Sequence, residues 1–318
     1  MPFPYLMTNR RTPRRASFVY QWRLFPHVKT VCFLIIAALL FLSACSHRDR
    51  IVVGCKNFTE QIVLGELIAQ QIENKTHLPV ERRFYLGGTY IAHQGILAGR
   101  IDIYPEYTGT ALTAVLKESA SSNANVVYDR VKSEYEHRFH LTLGPAFGFN
   151  DTFAIEIRGD DARRLNLQTL SQAAKFTPQW RPGFGYEFME RPDGYKGLVA
   201  TYGLRFAAPP RIMDLGLLTR ALKEHQVDLI AGNMTDGLIP ALDLFVLADD
   251  KHYFPPYEAV PVIRQQTLTE HPEIRVALDS LGGKISNEEM RRLNYEVDGK
   301  KRDVKEVVSQ FLRSNNLN

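Results

Sequence analysis

From residue 51 onwards, short apolar runs alternate with longer segments that carry apolar residues at helical spacing. Residues 51–54 predict a buried strand, and residues 59–74 predict a helix with one apolar face. A second strand and helix are predicted at 80–85 and 90–98, and a third strand at 101–104. This spacing is typical of βαβ units, so it predicts an α/β fold with parallel strands and right-handed crossovers.

The alternation is interrupted twice, by breaker-rich segments at 144–151 and 249–257, and it restarts between them. A chain of 318 residues with 45% hydrophobic residues has enough apolar surface for one large core or for two of ordinary size. We therefore predict two lobes, each a sheet flanked by helices, joined by two crossover segments. Lobe 1 comprises 51–149 plus 256–318, and lobe 2 comprises 150–255.

Residues 1–44 have the features of a bacterial lipoprotein signal peptide. A basic start precedes the apolar run 31–42, which is shorter than the roughly 20 residues of a membrane span. Leu42-Ser43-Ala44-Cys45 resembles a lipobox, in which the cysteine is lipidated and becomes the first mature residue. Cys45 is thus the predicted lipid attachment site, followed by a tether at 45–50. The alternative is a short, uncleaved anchor.

The charge balance gives no reason to expect a nucleic-acid partner. Six of the 39 basic residues precede residue 45, which leaves 33 basic against 35 acidic residues in the rest of the chain. Of the three cysteines, only Cys55 would remain as a free thiol, and it reads as a small buried residue at a strand end. No disulfide, metal site or cofactor is expected.

Residues 102–110 form a first candidate ligand site, where a strand runs into a helix. Pro105 is expected to end the strand, and the first helical amides, with the hydroxyls of Thr108 and Thr110, could seat an anion. Tyr107 stands beside that seat, so the stretch would suit a zwitterion. Plain architecture, a strand followed by a capped helix, is the alternative.

Several polar residues allow two interpretations. Lys56 follows the first strand, at the edge where α/β sheets place ligand contacts, but it could equally be a solvated loop lysine. His93, within a helix, is expected to have a structural role. Glu106, Asp151 and Asp236 could form a catalytic dyad, but surface solvation is the simpler interpretation. The usual nucleophile, metalloprotease, P-loop and dinucleotide-binding motifs are absent from the sequence.

Five segments together resemble the substrate-binding proteins of osmoprotectant importers of the ATP-binding-cassette class, which take up glycine betaine, choline, carnitine and relatives. The resemblance covers 51–313, and its motifs lie at 54–61, 104–110, 235–237, 249–257 and 293–298. It implies the type II periplasmic binding protein fold, with two lobes and two crossovers. It also implies a monomer at the periplasmic or outer cell surface, with an ABC permease and its ATPase subunit as partners.

The resemblance assigns seven ligand-binding positions. Three would bind a carboxylate: Lys56, Thr110 and Arg191. Four would form the cage for a quaternary ammonium: Tyr107, Phe153, Asn233 and Tyr257. Ring faces attract such a cation because it has no strong hydrogen-bond donor, at about 2 kcal/mol or more per desolvated contact.

Two cage positions depart from the family pattern. Phe153 keeps a ring without the hydroxyl, and Asn233 has no ring. An amide in the wall would suit a larger betaine with its own hydrogen-bonding atoms, such as ergothioneine. We therefore predict a lipid-anchored binding protein for a quaternary amine rather than an enzyme. A surface-anchored enzyme and a receptor lipoprotein that has lost transport are the alternatives from other classes.

Overall fold

The computed structural model describes residues 50–317, which are built on two five-stranded sheets. The predicted signal peptide, Cys45 and nearly all of the tether lie outside the described residues. The strand order is β2-β1-β3-β10-β4 in the first sheet and β7-β6-β8-β5-β9 in the second. The predicted α/β class, with a sheet flanked by helices in each half, is confirmed.

The first sheet takes strands from both ends of the described chain. They are β1 (Ile51–Gly54), β2 (Val80–Arg83), β3 (Ile103–Tyr107), β4 (Leu141–Leu143) and β10 (Ala259–Arg264). Its helices are α1 (Thr59–Thr76), α2 (Thr89–Leu97), α3 (Thr108–Thr110) with a π-helical turn (Ala111–Val115), α4 (Ala124–Phe139), α11 (Gln265–Glu270), α12 (Glu273–Asp279), α13 (Asn287–Asp298) and α14 (Val304–Ser314).

The second sheet is formed by the middle of the chain. Its strands are β5 (Phe153–Arg158), β6 (Pro182–Phe184), β7 (Arg211–Ile212), β8 (Leu229–Asn233) and β9 (Leu244–Leu247). Its helices are α5 (Gly159–Leu165), α6 (Leu170–Ala173), α7 (Tyr186–Glu190), α8 (Tyr195–Tyr202), α9 (Leu215–Lys223) and α10 (Leu238–Ala241), with a 3₁₀ turn at Thr177–Gln179.

The parallel pairing predicted for the first three strands is confirmed, but each sheet is mixed. In the first, β1 pairs in parallel with β2 and β3, whereas β10 is antiparallel to β3 and β4. In the second, β5 is antiparallel to β8 and β9. Both exceptions directly follow a connection from the other sheet. Such a strand enters at the edge where the βαβ strands end, and it must therefore run in the opposite direction.

Pro105 does not end its strand, contrary to the sequence prediction. It lies within β3, directly opposite Pro261 of β10. Neither residue has an amide hydrogen, so this position of the ladder exchanges no backbone hydrogen bond and none is lost. Pro261 also makes β10 hard to recognise from the sequence, because proline is unusual inside a strand. This explains why the sequence does not predict β10, although the strand is buried over most of its length.

Two structural interpretations of single residues are confirmed. Cys55 is fully buried and free, and burial raises the pKa of its thiol to about 12. His93 packs on the rings of Tyr135 and Phe139, with centroids 5.6 and 4.9 Å away. Burial lowers the pKa of His93 to about 4, so its imidazole is neutral at physiological pH.

Candidate functional site

A cavity of about 330 Å³ lies between the two sheets, at the ends of their strands. All seven residues assigned by resemblance line it: Lys56, Tyr107, Thr110, Phe153, Arg191, Asn233 and Tyr257. Residues far apart in the chain are thus brought to one place by the strand ends and by the segments that cross between the sheets.

Lys56 is buried, with 3% of its surface exposed, so the solvated-loop interpretation is wrong. Its ammonium group forms an ion pair with Glu106, which is fully buried, and donates to the hydroxyl of Thr89 over 3.0 Å. It also lies 4.9 Å from the centroid of the Tyr107 ring. A ligand carboxylate at Lys56 would therefore share the ammonium with a protein carboxylate.

Arg191 connects the two halves of the site. Its Nη1 donates to the Thr110 hydroxyl over 3.0 Å, and its Nε donates to Asp193 over 2.9 Å. Burial acts to raise the pKa of Asp193, but the hydrogen bonds and charge of Arg191 outweigh it and hold that pKa below its usual range. The guanidinium is therefore neutralised and fixed in direction by Asp193.

The rings of Phe153 and Tyr257 meet edge to face, with centroids 5.6 Å apart and an interplanar angle of 78°. The guanidinium carbon of Arg191 lies 5.1 Å from the Phe153 centroid and 5.8 Å from that of Tyr257. The Tyr257 hydroxyl donates to Asp193. These rings already attract a protein cation, which shows that their faces suit a positive group.

Tyr107 forms a third aromatic wall. Its hydroxyl donates to Glu60 over 2.7 Å, and its ring stacks on Phe58 at a centroid distance of 6.4 Å and an angle of 17°. Neighbouring Gly109 leaves room for Tyr257, because a Cβ at this position would lie 2.5 Å from the carbonyl oxygen of Pro256 and 2.8 Å from the Tyr257 ring. The positions of Tyr107 and Tyr257 are therefore set by close packing.

The predicted anion seat at the start of the helix after β3 is not formed as expected. The Thr108 amide donates to the carbonyl of Glu258 over 3.0 Å, and the Thr108 hydroxyl accepts from the Glu258 amide over 3.1 Å. The α-helical part spans only three residues. Thr108 thus ties this turn to a crossover segment, and Thr110 alone directs its hydroxyl to a site residue.

Asn233 ends β8, opposite Phe153 in the neighbouring strand. It lines the cavity described above and also a second cavity of about 680 Å³. Asn57, Phe58, Asp214 and Leu215 line both cavities as well. At the position where the family has a ring, the smaller amide of Asn233 thus contributes to the walls of both cavities.

The acidic residues of the site were misjudged from the sequence. Glu106 and Asp151 are buried rather than solvated, and burial raises the pKa of Asp236 to about 6. Asp193 and Glu60 were not singled out at all. Positions in the sequence could have indicated a role in the site for some of these residues. Asp193 and Asp151 each lie two residues from an assigned site residue, and Glu106 directly precedes Tyr107.

A family described as the substrate binding domain of ABC-type glycine betaine transport systems matches residues 49–314. The carnitine transport binding protein OpuCC of Listeria monocytogenes is 38% identical over 294 residues, covering 89% of this chain and 94% of that protein.

Two further proteins are similar to this chain. The ergothioneine transport permease/ergothioneine binding protein EgtU of Helicobacter pylori is 34% identical over 308 residues, covering 96% of this chain and 55% of that longer protein. The crystal structure of a glycine betaine/carnitine/choline ABC transporter protein has 34% identity and a TM-score of 0.70, covering 84% of this chain and 99% of that one.

Proposed function

Because the chain belongs to the family of substrate-binding domains of ABC-type glycine betaine transport systems, we propose that it binds a small quaternary amine in the cavity between its sheets and delivers it to the permease of an ABC importer. The observation that carries the proposal is the convergence of Tyr107, Phe153 and Tyr257 with two buried cations on one cavity. In this role Lys56, Arg191 and Thr110 hold the ligand carboxylate, and the rings hold its ammonium.

The test is a thermal-shift screen of the purified protein with glycine betaine, choline, carnitine, ergothioneine and proline. Ligands that bind only the folded protein raise its melting temperature in a concentration-dependent manner. At least one quaternary amine should do so, whereas proline, which lacks a quaternary nitrogen, should not. A response to none of the quaternary amines would contradict the proposed function.

The lobes of this proposal are 51–149 plus 256–318 and 150–255, hinged at the two crossover segments. Support comes from Asn150, whose side chain accepts from the Tyr257 amide over 2.6 Å and whose backbone bridges to Glu258. The two crossovers are thereby tied to each other at the boundary. Closure is driven by the ligand, since Thr110 and Arg191 come from different lobes.

A larger betaine such as ergothioneine is a second candidate ligand, favoured by Asn233 and the space beyond it. Asn233→Tyr should close this wall with a ring, adding on the order of 1 kcal/mol for small quaternary amines while excluding a bulkier one. Titration of both proteins with glycine betaine and ergothioneine should show affinities that move in opposite directions. Tight glycine betaine binding by the wild type, weakened by the substitution, would show that Asn233 is not a vacated cage position.

Lipid anchoring at Cys45 completes the proposal and places the protein, as a monomer, at the periplasmic or outer face of a bacterial membrane. Among residues 50–317, no helix has the length and apolarity needed to span a bilayer. Cys45→Ala should release the protein from membranes or block its processing. Mass spectrometry that finds an unlipidated mature N-terminus in the wild type would rule the anchor out.

A further inference from the structure

Two carboxyl groups, those of Glu60 and Asp151, lie together at the wall of the ligand cavity. Only 2% of Glu60 and 7% of Asp151 is exposed, and Asp151 lines the cavity directly. Thr235 binds both, since its hydroxyl donates to Glu60 and its amide donates to Asp151 over 3.2 Å. Because Thr235 holds both carboxyl groups close together and away from water, one shared proton is more favourable there than two negative charges.

This pair is linked to the aromatic cage. Glu60 accepts the hydrogen bond from the Tyr107 hydroxyl over 2.7 Å, and Glu60 also accepts from the side-chain amide of Asn294 over 2.9 Å. Tyr107 and Asp151 both line the cavity. A cation held on the Tyr107 ring would therefore lie close to the negative charge of the pair.

The surroundings do not neutralise that charge. The other titratable or charged side chains around the pair are Lys56, Tyr107, Glu156, Asp236, Arg291 and Asp298. Lys56 is paired with Glu106, and Arg291 donates to the Met234 carbonyl. Within the described part of the chain, no Lys, Arg or His forms a salt bridge with Glu60 or Asp151.

We propose that Glu60 and Asp151 form the counter-ion of the ligand's ammonium group, and that ligand binding drives their shared proton into solvent. This rests on the proposed function, because it requires a quaternary amine in the cage. The ammonium donates no proton of its own, so it stabilises the pair only as a charge. The fully ionised pair, two like charges at close range, becomes tolerable once the ligand's positive charge lies beside it.

The pH dependence follows from this exchange. Burial is the main cause that raises the pKa of Glu60 and of Asp151. The free protein therefore keeps the proton at pH values above those at which an ordinary carboxyl group loses it. A bound cation lowers the pKa of the pair. Affinity should therefore rise with pH until the free protein loses the proton, and it should fall on acidification by up to about tenfold per pH unit.

Calorimetry measures the proton directly. Choline and glycine betaine are titrated into the wild-type protein at several pH values between 5 and 8, each time in two buffers that hold that pH and differ in ionisation enthalpy. A difference in the observed binding enthalpy equals the released protons multiplied by the difference between the two buffers. We expect release of a measurable fraction of one proton per ligand within pH 5–8. Binding without any buffer dependence across that range would overturn the inference but leave the proposed function standing.

Asp151→Asn is the matched variant, because its amide can accept from Thr235 and donate to Glu60 in place of the protonated carboxyl. It should bind choline more weakly than the wild type, without proton release and with little change between pH 5 and 8. Glu190→Gln, which removes an exposed acid from the cavity rim, should retain the release. Proton release that persists in Asp151→Asn would contradict the assignment. If that variant does not fold, the wild-type buffer series still decides.

Discussion

Arg191→Ala is expected to weaken the binding of a carboxylate-bearing quaternary amine such as glycine betaine by well over tenfold. The guanidinium bonds to Thr110 of the other lobe and pairs with Asp193. Truncation removes a buried donor and leaves the Asp193 carboxylate without its partner. Loss of one member of a desolvated charge pair costs about 2–5 kcal/mol. Titration calorimetry with glycine betaine measures the change.

Choline is the matched ligand for this experiment, because it has the quaternary ammonium without the carboxylate. Its affinity should change much less, since the orphaned Asp193 beside Tyr257 attracts a cation. Arg181→Ala is the control variant. Arg181 belongs to the same lobe and pairs with Asp228, but it does not line the cavity, so both affinities should be retained. Equal losses for the two ligands in Arg191→Ala would contradict the role given to Arg191.

Lys56→Met should lower the free energy of unfolding by about 3–5 kcal/mol, because it leaves a buried carboxylate without its counter-ion. Glu106 is fully buried, and its Oε2 has no hydrogen-bond partner. Once Lys56 is removed, the Tyr107 amide is the remaining donor to Oε1, at 2.8 Å. Urea denaturation monitored by circular dichroism gives the change in stability.

The double variant Lys56→Met/Glu106→Gln separates charge from packing. Since it removes the orphaned charge together with its partner, it should recover most of the stability lost in the single variant. Lys132→Met, at an exposed position of α4, should change stability by no more than about 0.5 kcal/mol. A double variant no more stable than Lys56→Met would show that the ion pair is not the cause.

Local patterns were sufficient to predict most of the fold. The buried run 51–54 and the helix beginning at Thr59 follow from periodicity, and the two crossings follow from breaker residues. The direction of β5 could not be predicted, because it depends on how the chain reaches this strand, and Pro261 kept β10 from being predicted at all. The sequence of a strand does not indicate whether the preceding segment comes from the same sheet or from the other one.

Only part of the site could be predicted from the sequence, for a related reason. Its rings and cations could be assigned one by one through resemblance, but their partners lie far along the chain. Lys56 and Glu106 are 50 residues apart, and Glu60 and Thr235 are 175 apart. A lone carboxylate in a sequence gives no sign of whether water or a distant side chain will solvate it. Surface solvation is the default expectation for Asp151, but in the folded protein the Thr235 amide donates to this carboxyl group instead.

The facing prolines of β3 and β10 help to fix how these two strands pair, and the pairing in turn positions two rings of the aromatic cage. Tyr107 ends β3, and Tyr257 lies two residues before β10, so the pairing register sets the distance between these two rings. A slip of one residue would place Pro261 opposite a neighbour whose amide needs a partner, and it would turn every side chain of the slipped strand to the opposite face. Misaligned pairings are thus penalised during folding, before any ligand is present. The backbone of the two strands that lead to the binding site therefore disfavours pairings that would misplace its rings.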